Sequence, residues 1–309
     1  MRVLVTGARG KVGAAATARL LDAGHEVIAT DLASPVHERD LPDHAPYLQA
    51  DLTDAGAVYA LVRGADAVVH TAAIPDPIHH APHVVFANNV LSGFNVVEAC
   101  VRWGVGRLVN LSSETVPGII FAERPFLPPY LPIDELTPCR PQDPYGFGKH
   151  VIEQWCEAAT QRSDLSAVSI RPSWVQHAGN YERNLGPMVR EPFEYSANFW
   201  SYTDNDDLAE AIRLATVVDV QGHETVYIAQ PDNATGRPLT ELVEATVPDH
   251  TIELRPTDRE DASGIDSSKA RRLLGWTPTR SWRDVLDDPS GRSFAGGPRQ
   301  LGGVEVGLP

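Results

Sequence analysis

The chain has 309 residues, with 41 Asp and Glu against 26 Lys and Arg and a formal net charge of −15. That length suits one large α/β domain or a domain with a smaller companion. The acidic balance, with no basic cluster, excludes a nucleic-acid groove, because neutralising phosphates takes grouped Lys and Arg.

Arg2 to Thr6 (RVLVT) reads as a buried parallel strand, and Ala14 to Leu21 has the Ala/Leu content of a helix. Between them stand Gly7, Gly10 and Gly13. Strand, glycine turn and helix give the geometry a pyrophosphate needs. Gly7 permits the tight turn, Gly10 lets the backbone approach the phosphates, and Gly13 lets the helix pack on the strand. Orphan N–H groups at the helix start then face the anion. Glu26 to Thr30 reads as a second strand closed by Asp31, roughly 20 residues beyond the glycines, where a ribose-binding acid belongs. A dinucleotide site is predicted here.

Leu32 to Pro46 is a surface connection rich in Pro, His and Asp. Tyr47 to Ala50 is a third strand, ending at Asp51-Leu52, and Thr53 and Asp54 can cap a helix to Val62. Asp51 fits either the adenine end of a dinucleotide or a helix cap. Asp66 to His70 is a fourth strand, followed by Thr71-Ala72-Ala73, small residues that leave space for a cofactor across the sheet edge. Pro75 to Pro82 reads as a loop, Asn88 to Trp103 as a long helix, and Arg107 to Leu111 as a strand ending at Ser112-Ser113. Pro117 to Pro144 lacks periodicity, and irregular loops of such length are usually functional. Tyr145 opens a helix to about Gln161, and Ala167 to Arg171 is strand. Apolar strands alternating with helices predict a doubly wound parallel sheet.

Past Arg171-Pro172 the pattern loosens. His177 to Trp200 is loop-like. Asp206 to Val218 is helical, Thr225 to Ala229 strand, Leu239 to Thr246 helix, Thr251 to Leu254 strand, and Ser267 to Leu274 a short helix stopped by Gly275. From Asp288 onward Gly, Pro and Arg predict a mobile tail. Cys100, Cys139 and Cys156 are widely spaced with no CxxC, which points to a reducing compartment. With a core strand starting at residue 2 and no apolar run read as long enough to span a membrane, a cytoplasmic protein without membrane contact is expected. Cys100 and Cys156 are expected to be buried, as are Trp103, Trp155 and Trp276.

Three residues converge on one chemistry. Ser113 ends a strand beside the predicted cofactor cleft, and Tyr145 and Lys149 lie one helical turn apart on one face. An unperturbed Tyr, with a pKa of about 10, is a poor base at neutral pH. A neighbouring ammonium and a cationic nicotinamide stabilise the phenolate. The phenolate can then take a proton from a substrate hydroxyl while the carbon gives hydride to the nicotinamide. Ser113 would hold the same oxygen, and Lys149 would also bind the nicotinamide ribose. His79, His80 and His83 beside Asp76 are metal-ligand types, but no Cys or second cluster joins them and hydride transfer needs no metal, so none is predicted. His70, ending a buried strand, is expected to be a hydrogen-bonded core residue.

TGARGKVG (Thr6 to Gly13), Asp31, Asp51-Leu52, HTAA (His70 to Ala73) and NVLSGFNVVEA (Asn89 to Ala99) together resemble the extended short-chain dehydrogenase/reductase family, the NAD-dependent epimerase/dehydratase group. LSSETVPG (Leu111 to Gly118), YGFGK (Tyr145 to Lys149), RPSWV (Arg171 to Val175) and DSSKARRLLGW (Asp266 to Trp276) extend the resemblance over nearly all of residues 1–285. It implies a Rossmann-type doubly wound parallel sheet with a small C-terminal α+β substrate cap. Residues 1–175, with 202–229 returning, would form the NAD-binding domain; 176–201 and 230–285 the cap; 286–309 the tail. Ser113, Tyr145 and Lys149 would be the catalytic triad. NAD would be held at the glycine turn by Gly7, Arg9, Gly10, Lys11, Val12 and Gly13, and along the strand ends by Asp31, Leu32, Asp51, Leu52, Thr71, Ala72, Ala73 and Asn89. Leu111, Tyr145, Lys149, Pro172 and Ser173 would complete its nicotinamide end. Asp31 implies NAD over NADP, while Arg9 and Lys11 leave NADP open, since a basic side chain there can hold a 2′-phosphate. A homodimer through Asn89 to Trp103 and Tyr145 to Gln161 is implied as well.

Departures from the family narrow the chemistry. Its dehydratases carry a Thr-Asp-Glu run, and the matching positions here are Ser113, Glu114 and Thr115, with Pro117 in place of the Tyr of the VYG turn. Dehydration is not expected. Its nucleotide-sugar epimerases carry a long insertion after the RP motif, whereas here only Gln176 to Ser201 precedes Asp206-Asp207. That layout, and WSYTDNDDLAEA (Trp200 to Ala211), is similar to uronate dehydrogenases and related aldose dehydrogenases, which oxidise a free sugar at its anomeric carbon to a lactone. A free sugar or sugar acid is the expected substrate, and NDP-sugar 4-epimerisation the alternative. Ile74, Ser113 and Glu114 are expected at the substrate, although Glu114 fits a sugar hydroxyl or a rim charge equally. Asn180 and Arg183 fit a sugar or its carboxylate, or a solvated loop.

Overall fold

The computed structural model describes residues 1–34, 45–247 and 252–286. The chain opens with β1 (Arg2–Thr6), α1 (Lys11–Asp22), β2 (Glu26–Asp31), β3 (Tyr47–Gln49), α2 (Ala55–Val62) and β4 (Ala67–His70). It continues through α3 (Pro82–Trp103), β5 (Arg107–Leu111), β6 (Tyr130–Leu131), α4 (Pro144–Thr160) and β7 (Ser166–Pro172). Next come β8 (Val175–Gln176), α5 (Tyr181–Asn184), α6 (Gly186–Arg190), β9 (Thr203–Asp204), α7 (Asn205–Val217) and β10 (His223–Ile228). Last are α8 (Leu239–Thr246), β11 (Glu253–Leu254) and α9 (Ser268–Leu274).

Seven of these strands form the expected parallel sheet, in the order β10-β7-β5-β4-β1-β2-β3. Val5 pairs with Ala29 on one side of β1 and with Val69 on the other. The chain winds outward from β1 in one direction through β2 and β3, and in the other through β4, β5, β7 and β10. A crevice therefore opens at the carboxyl ends of β1 and β4. The strands read as continuous apolar runs because helices cover both faces. Val3, Val5, Val69 and Val109 pack with Leu20 of α1 and Ile212 of α7. Leu4, Val68 and Leu108 pack with Val58 of α2, Val96 of α3 and Ile152 of α4. Each such side chain contributes about 1.5–3 kcal/mol of burial.

Several expectations shift. α1 starts at Lys11 rather than Ala14, so Gly13 lies inside the helix, where close packing on Gly7 overrides its poor propensity. α3 starts at Pro82 rather than Asn88, since Pro is well suited to a first turn. At 22 residues it is long and apolar enough to cross a membrane by length and composition, contrary to the sequence reading, and half of its most apolar window is buried within this fold. Trp276 is fully buried and Trp155 half-buried against Phe94, but Trp103 at the end of α3 is 41% exposed, its indole N–H donating to the Tyr59 carbonyl at 2.8 Å. Cys100 and Cys156 are buried.

The largest correction concerns Pro117 to Pro144. Within it β6 pairs in parallel with β11, and Ile119, Leu131 and Ile133 join Phe199, Trp200 and Leu242 in a third core. A two-residue strand has no room for a periodic signature, so the segment looked irregular. His177 to Trp200 likewise holds α5 and α6. Thr251, residues 35–44 of the surface connection and residues 287–309 of the tail lie outside the described residues.

Candidate active site

A cavity of about 1180 Å³ occupies the crevice. It exceeds the ~300–1,000 Å³ typical of single-ligand pockets, leaving room for a large ligand and a smaller one side by side. One end is the glycine turn. Gly7 has φ +67°, and a Cβ there would stand 2.6 Å from the Ala72 nitrogen; a Cβ on Gly13 would stand 2.1 Å from the Gly7 carbonyl oxygen. Only hydrogen fits at either position. Thr71 closes the turn, its hydroxyl donating to the Thr6 carbonyl at 2.6 Å.

This end fits a dinucleotide. α1 has Gly10 at its N-cap, no side-chain cap and no acid in its first turn, so its orphan N–H groups remain available to an anion. Asp31, ending β2, accepts from the backbone N–H groups of Arg9 (3.0 Å) and Ala33 (3.3 Å), which fixes its carboxylate at the cavity wall. Asp51 also lines the wall. The helix cap is Asp54, which accepts from Gly56 and Ala57, while Asp51 accepts from the Thr53 N–H (2.8 Å) and hydroxyl (2.7 Å). Those bonds hold Asp51 below the ordinary carboxylate range.

At the other end, Ser112 and Glu114 extend the β5 ladder by donating their N–H groups to Ile170 and Pro172, which brings Ser113 to the wall. α4 enters alongside. Asp143 caps it, accepting from the N–H groups of Tyr145 (2.9 Å) and Gly146 (2.8 Å), and Pro144 occupies the first turn. Tyr145 is thereby presented from the first turn on the cavity wall it shares with Ser113, whose hydroxyl favours the phenolate and accepts from the Thr115 N–H (3.2 Å) and hydroxyl (3.0 Å). One turn on, Lys149 Nζ donates to the Leu111 carbonyl at 2.5 Å and lies 5.8 Å from the Tyr145 ring centroid. Burial pushes the Tyr145 phenol up to about 12, and Asp143 and Glu114 add to this despite the Ser113 bond; burial draws Lys149 down to about 8.

A buried ionic joint supports this end. Arg171 donates from Nε and Nη2 to the two Glu153 carboxylate oxygens (2.8 and 2.6 Å), and the Ser112 hydroxyl donates to Glu153 at 2.6 Å. Burial opposes the Glu153 charge, but Arg171, His150 and Ser112 outweigh it and hold the carboxyl at about 2. β5, α4 and β7 are thus fastened together beneath Ser113 and Tyr145. His70 is the satisfied core residue expected, its Nδ1 2.8 Å from the Thr6 hydroxyl and its pKa drawn down to about 3 by burial.

The cavity wall includes Gly7, Arg9, Gly10, Lys11, Val12 and Gly13, and the strand-end residues Asp31, Leu32, Asp51, Leu52, Thr71, Ala72, Ala73 and Ile74. It also includes Leu111, Ser113, Glu114, Tyr145, Lys149, Pro172 and Ser173. Three sequence candidates stand elsewhere. Asn89 sits behind the wall, where its amide both accepts from the Ile74 N–H (2.8 Å) and donates to the Ile74 carbonyl (2.9 Å), anchoring that loop. Asn180 is buried, accepting from the His177 N–H at 2.8 Å. Arg183 is exposed and donates to Asn184 at 3.1 Å. The sequence reading missed Ile120, Phe121, Trp174, Met188 and Asn198. Trp174 lies inside RPSWV and could have been read from it; the others carry no local signal.

The sequence model of the NAD dependent epimerase/dehydratase family matches residues 3–191. A UDP-glucose 4-epimerase of Corynebacterium glutamicum is 27% identical, over 93% of this chain and 94% of that protein. A uronate dehydrogenase of Pseudomonas putida is 28% identical, over 76% of this chain and 78% of its own length. The solved structure of MoeE5 in complex with UDP-glucuronic acid and NAD shares the fold, with a TM-score of 0.68 and 24% identity, covering 93% of this chain and 97% of that one. The chain belongs to the NAD-dependent epimerase/dehydratase family and is an NAD-dependent enzyme of the dehydrogenase or epimerase kind.

Proposed function

We propose that this family member is a dehydrogenase that oxidises a free sugar or sugar acid at its anomeric carbon, giving the lactone. The observation that carries the reading is that Ser113, Tyr145 and Lys149 stand on the wall of one cavity with the glycine turn, Lys149 5.8 Å from the Tyr145 ring. NAD, when bound at the glycine turn, Asp31 and the strand ends, supplies the hydride acceptor. Ser113 and Tyr145 grip the substrate oxygen, and Tyr145 receives its proton. Because burial and the neighbouring carboxyls hold the phenol near 12, the base form requires positive charge nearby, and protonated Lys149 provides part of it. The joint of Glu153 and Arg171 keeps the two hydroxyls in register.

The short stretch of α5 and α6 beside the cavity supports a small substrate over a nucleotide sugar. The alternative, NDP-sugar 4-epimerisation, draws support from the nearly full-length match to UDP-glucose 4-epimerases. With NAD and free sugars the dehydrogenase accumulates NADH absorbance. Interconversion of an NDP-sugar with no net NADH overturns this reading. Leu91 and Phe94 on α3 and Phe147 on α4 are exposed, which supports a homodimer through these helices.

A further inference from the structure

The charges of the cavity are distributed unevenly. Among the described lining residues the Lys and Arg side chains are Arg9, Lys11 and Lys149. Arg9 and Lys11 belong to the glycine turn, and Lys149 is committed to the Leu111 carbonyl beneath Tyr145. Around the triad the wall carries one carboxyl, Glu114, and otherwise uncharged side chains, apolar ones (Ile120, Phe121, Trp174, Met188) and polar ones (Ser173, Asn198) among them. Arg183 points to solvent, and Arg190 pairs with Glu182 at 2.7 Å.

A buried anion needs a cation. Placing a sugar carboxylate or a diphosphate against this wall would desolvate it without a counter-charge and bring it beside a second acid. Glu114 is firmly held there. It is 8% exposed, its Oε2 accepts from the Ser173 hydroxyl at 2.6 Å, and Asn198 and Trp174 favour its charged form. Asn198 is itself fixed, accepting from the Ser196 hydroxyl (2.6 Å) and donating to the Ser201 carbonyl (2.9 Å). Burial still carries the Glu114 carboxyl up to about 8. In either protonation state it can exchange a hydrogen bond with a hydroxyl, and the indole and phenyl beside it suit the C–H face of a sugar ring.

We propose, resting on the dehydrogenase reading above, that the substrate is an uncharged aldose, one of whose hydroxyls hydrogen-bonds Glu114, and that the lack of a counter-charge on this wall, sharpened by Glu114 when ionised, disfavours uronates and nucleotide sugars. The oxidation balances as aldose plus NAD to lactone, NADH and a proton: the C1–H bond breaks with its electron pair, and the hydroxyl proton leaves through Tyr145.

The test compares kcat/KM for glucose, galactose, xylose and arabinose with that for glucuronate and galacturonate, using wild type and Glu114→Gln. Binding of the same sugars to the NADH-loaded protein is followed by calorimetry. At pH 9, where the Glu114 carboxyl is ionised, wild type is expected to favour the uncharged sugars by about 100-fold, and Glu114→Gln to narrow that ratio about tenfold, because the amide keeps a hydrogen bond but not the charge. Uronates bound and oxidised better than aldoses by wild type, or a ratio unmoved in Glu114→Gln, overturn the proposal while leaving the dehydrogenase reading intact. Epimerisation of an NDP-sugar with neither free sugar bound overturns both.

Discussion

At the dinucleotide end, Gly7, Gly10, Gly13 and Asp31 belong to a single strand–helix–strand unit, β1-α1-β2, and their roles follow from backbone geometry alone. At the other end, Glu114 accepts from Ser173, 59 residues away, and shares the wall with Met188 and Asn198 from stretches further along the chain. The first end is a largely local motif, closed by Thr71 and Ala72 at the end of β4. The second exists only after the sheet, the β6–β11 pairing and the Phe199–Trp200 turn have formed. That turn carries two consecutive aromatic residues at φ 52° and 57°, a conformation that non-glycine side chains adopt at a cost and that surrounding packing must hold.

The contrast can be broken at four places. Tyr145→Phe should lower kcat by about 10²–10⁴-fold, the usual range for a lost general base, while NAD affinity by calorimetry stays within about twofold. Glu153→Gln leaves the Arg171 guanidinium buried without its partner, so denaturant unfolding should show a loss of about 3–5 kcal/mol. The sign of its pH dependence is fixed. Glu153 is held at about 2, below its unfolded value, so its contribution is full above that unfolded value and is lost as pH falls through the folded one. The acid limb of the wild-type stability curve should therefore be shallower in Glu153→Gln. Gly13→Ala forces a methyl onto the Gly7 carbonyl and should cost about 1–3 kcal/mol of stability together with weaker NAD binding. Arg183→Ala, on an exposed side chain away from the wall, should leave kcat/KM within about twofold and stability within about 0.5 kcal/mol. A large loss there would place the substrate where the sequence first suggested.

Legibility follows the same division. The sheet could be read because strands buried on both faces are continuous apolar runs, as in Val3-Leu4-Val5, and Ser113, Tyr145 and Lys149 because a strand end and one helical turn fix their spacing. Asn89 was legible as important but not in its role, since a residue that clamps the Ile74 backbone from behind looks, in sequence, like one that faces the ligand. Asn180 and Arg183 were placed by proximity along the chain, whereas α5 turns them aside. Asn198 and Phe121 had no signal, because nothing local distinguishes a loop residue that reaches the cavity from one that meets water.

In the proposed reaction hydride leaves C1 of a free sugar beside Tyr145, and the most direct measurement is a turnover with an aldose deuterated at C1, followed by mass spectrometry of the released NADH. One deuterium per NADH, formed over many turnovers and lost in Tyr145→Phe, is the predicted result. Unlabelled NADH, or label retained in the sugar with no NADH released, would contradict it.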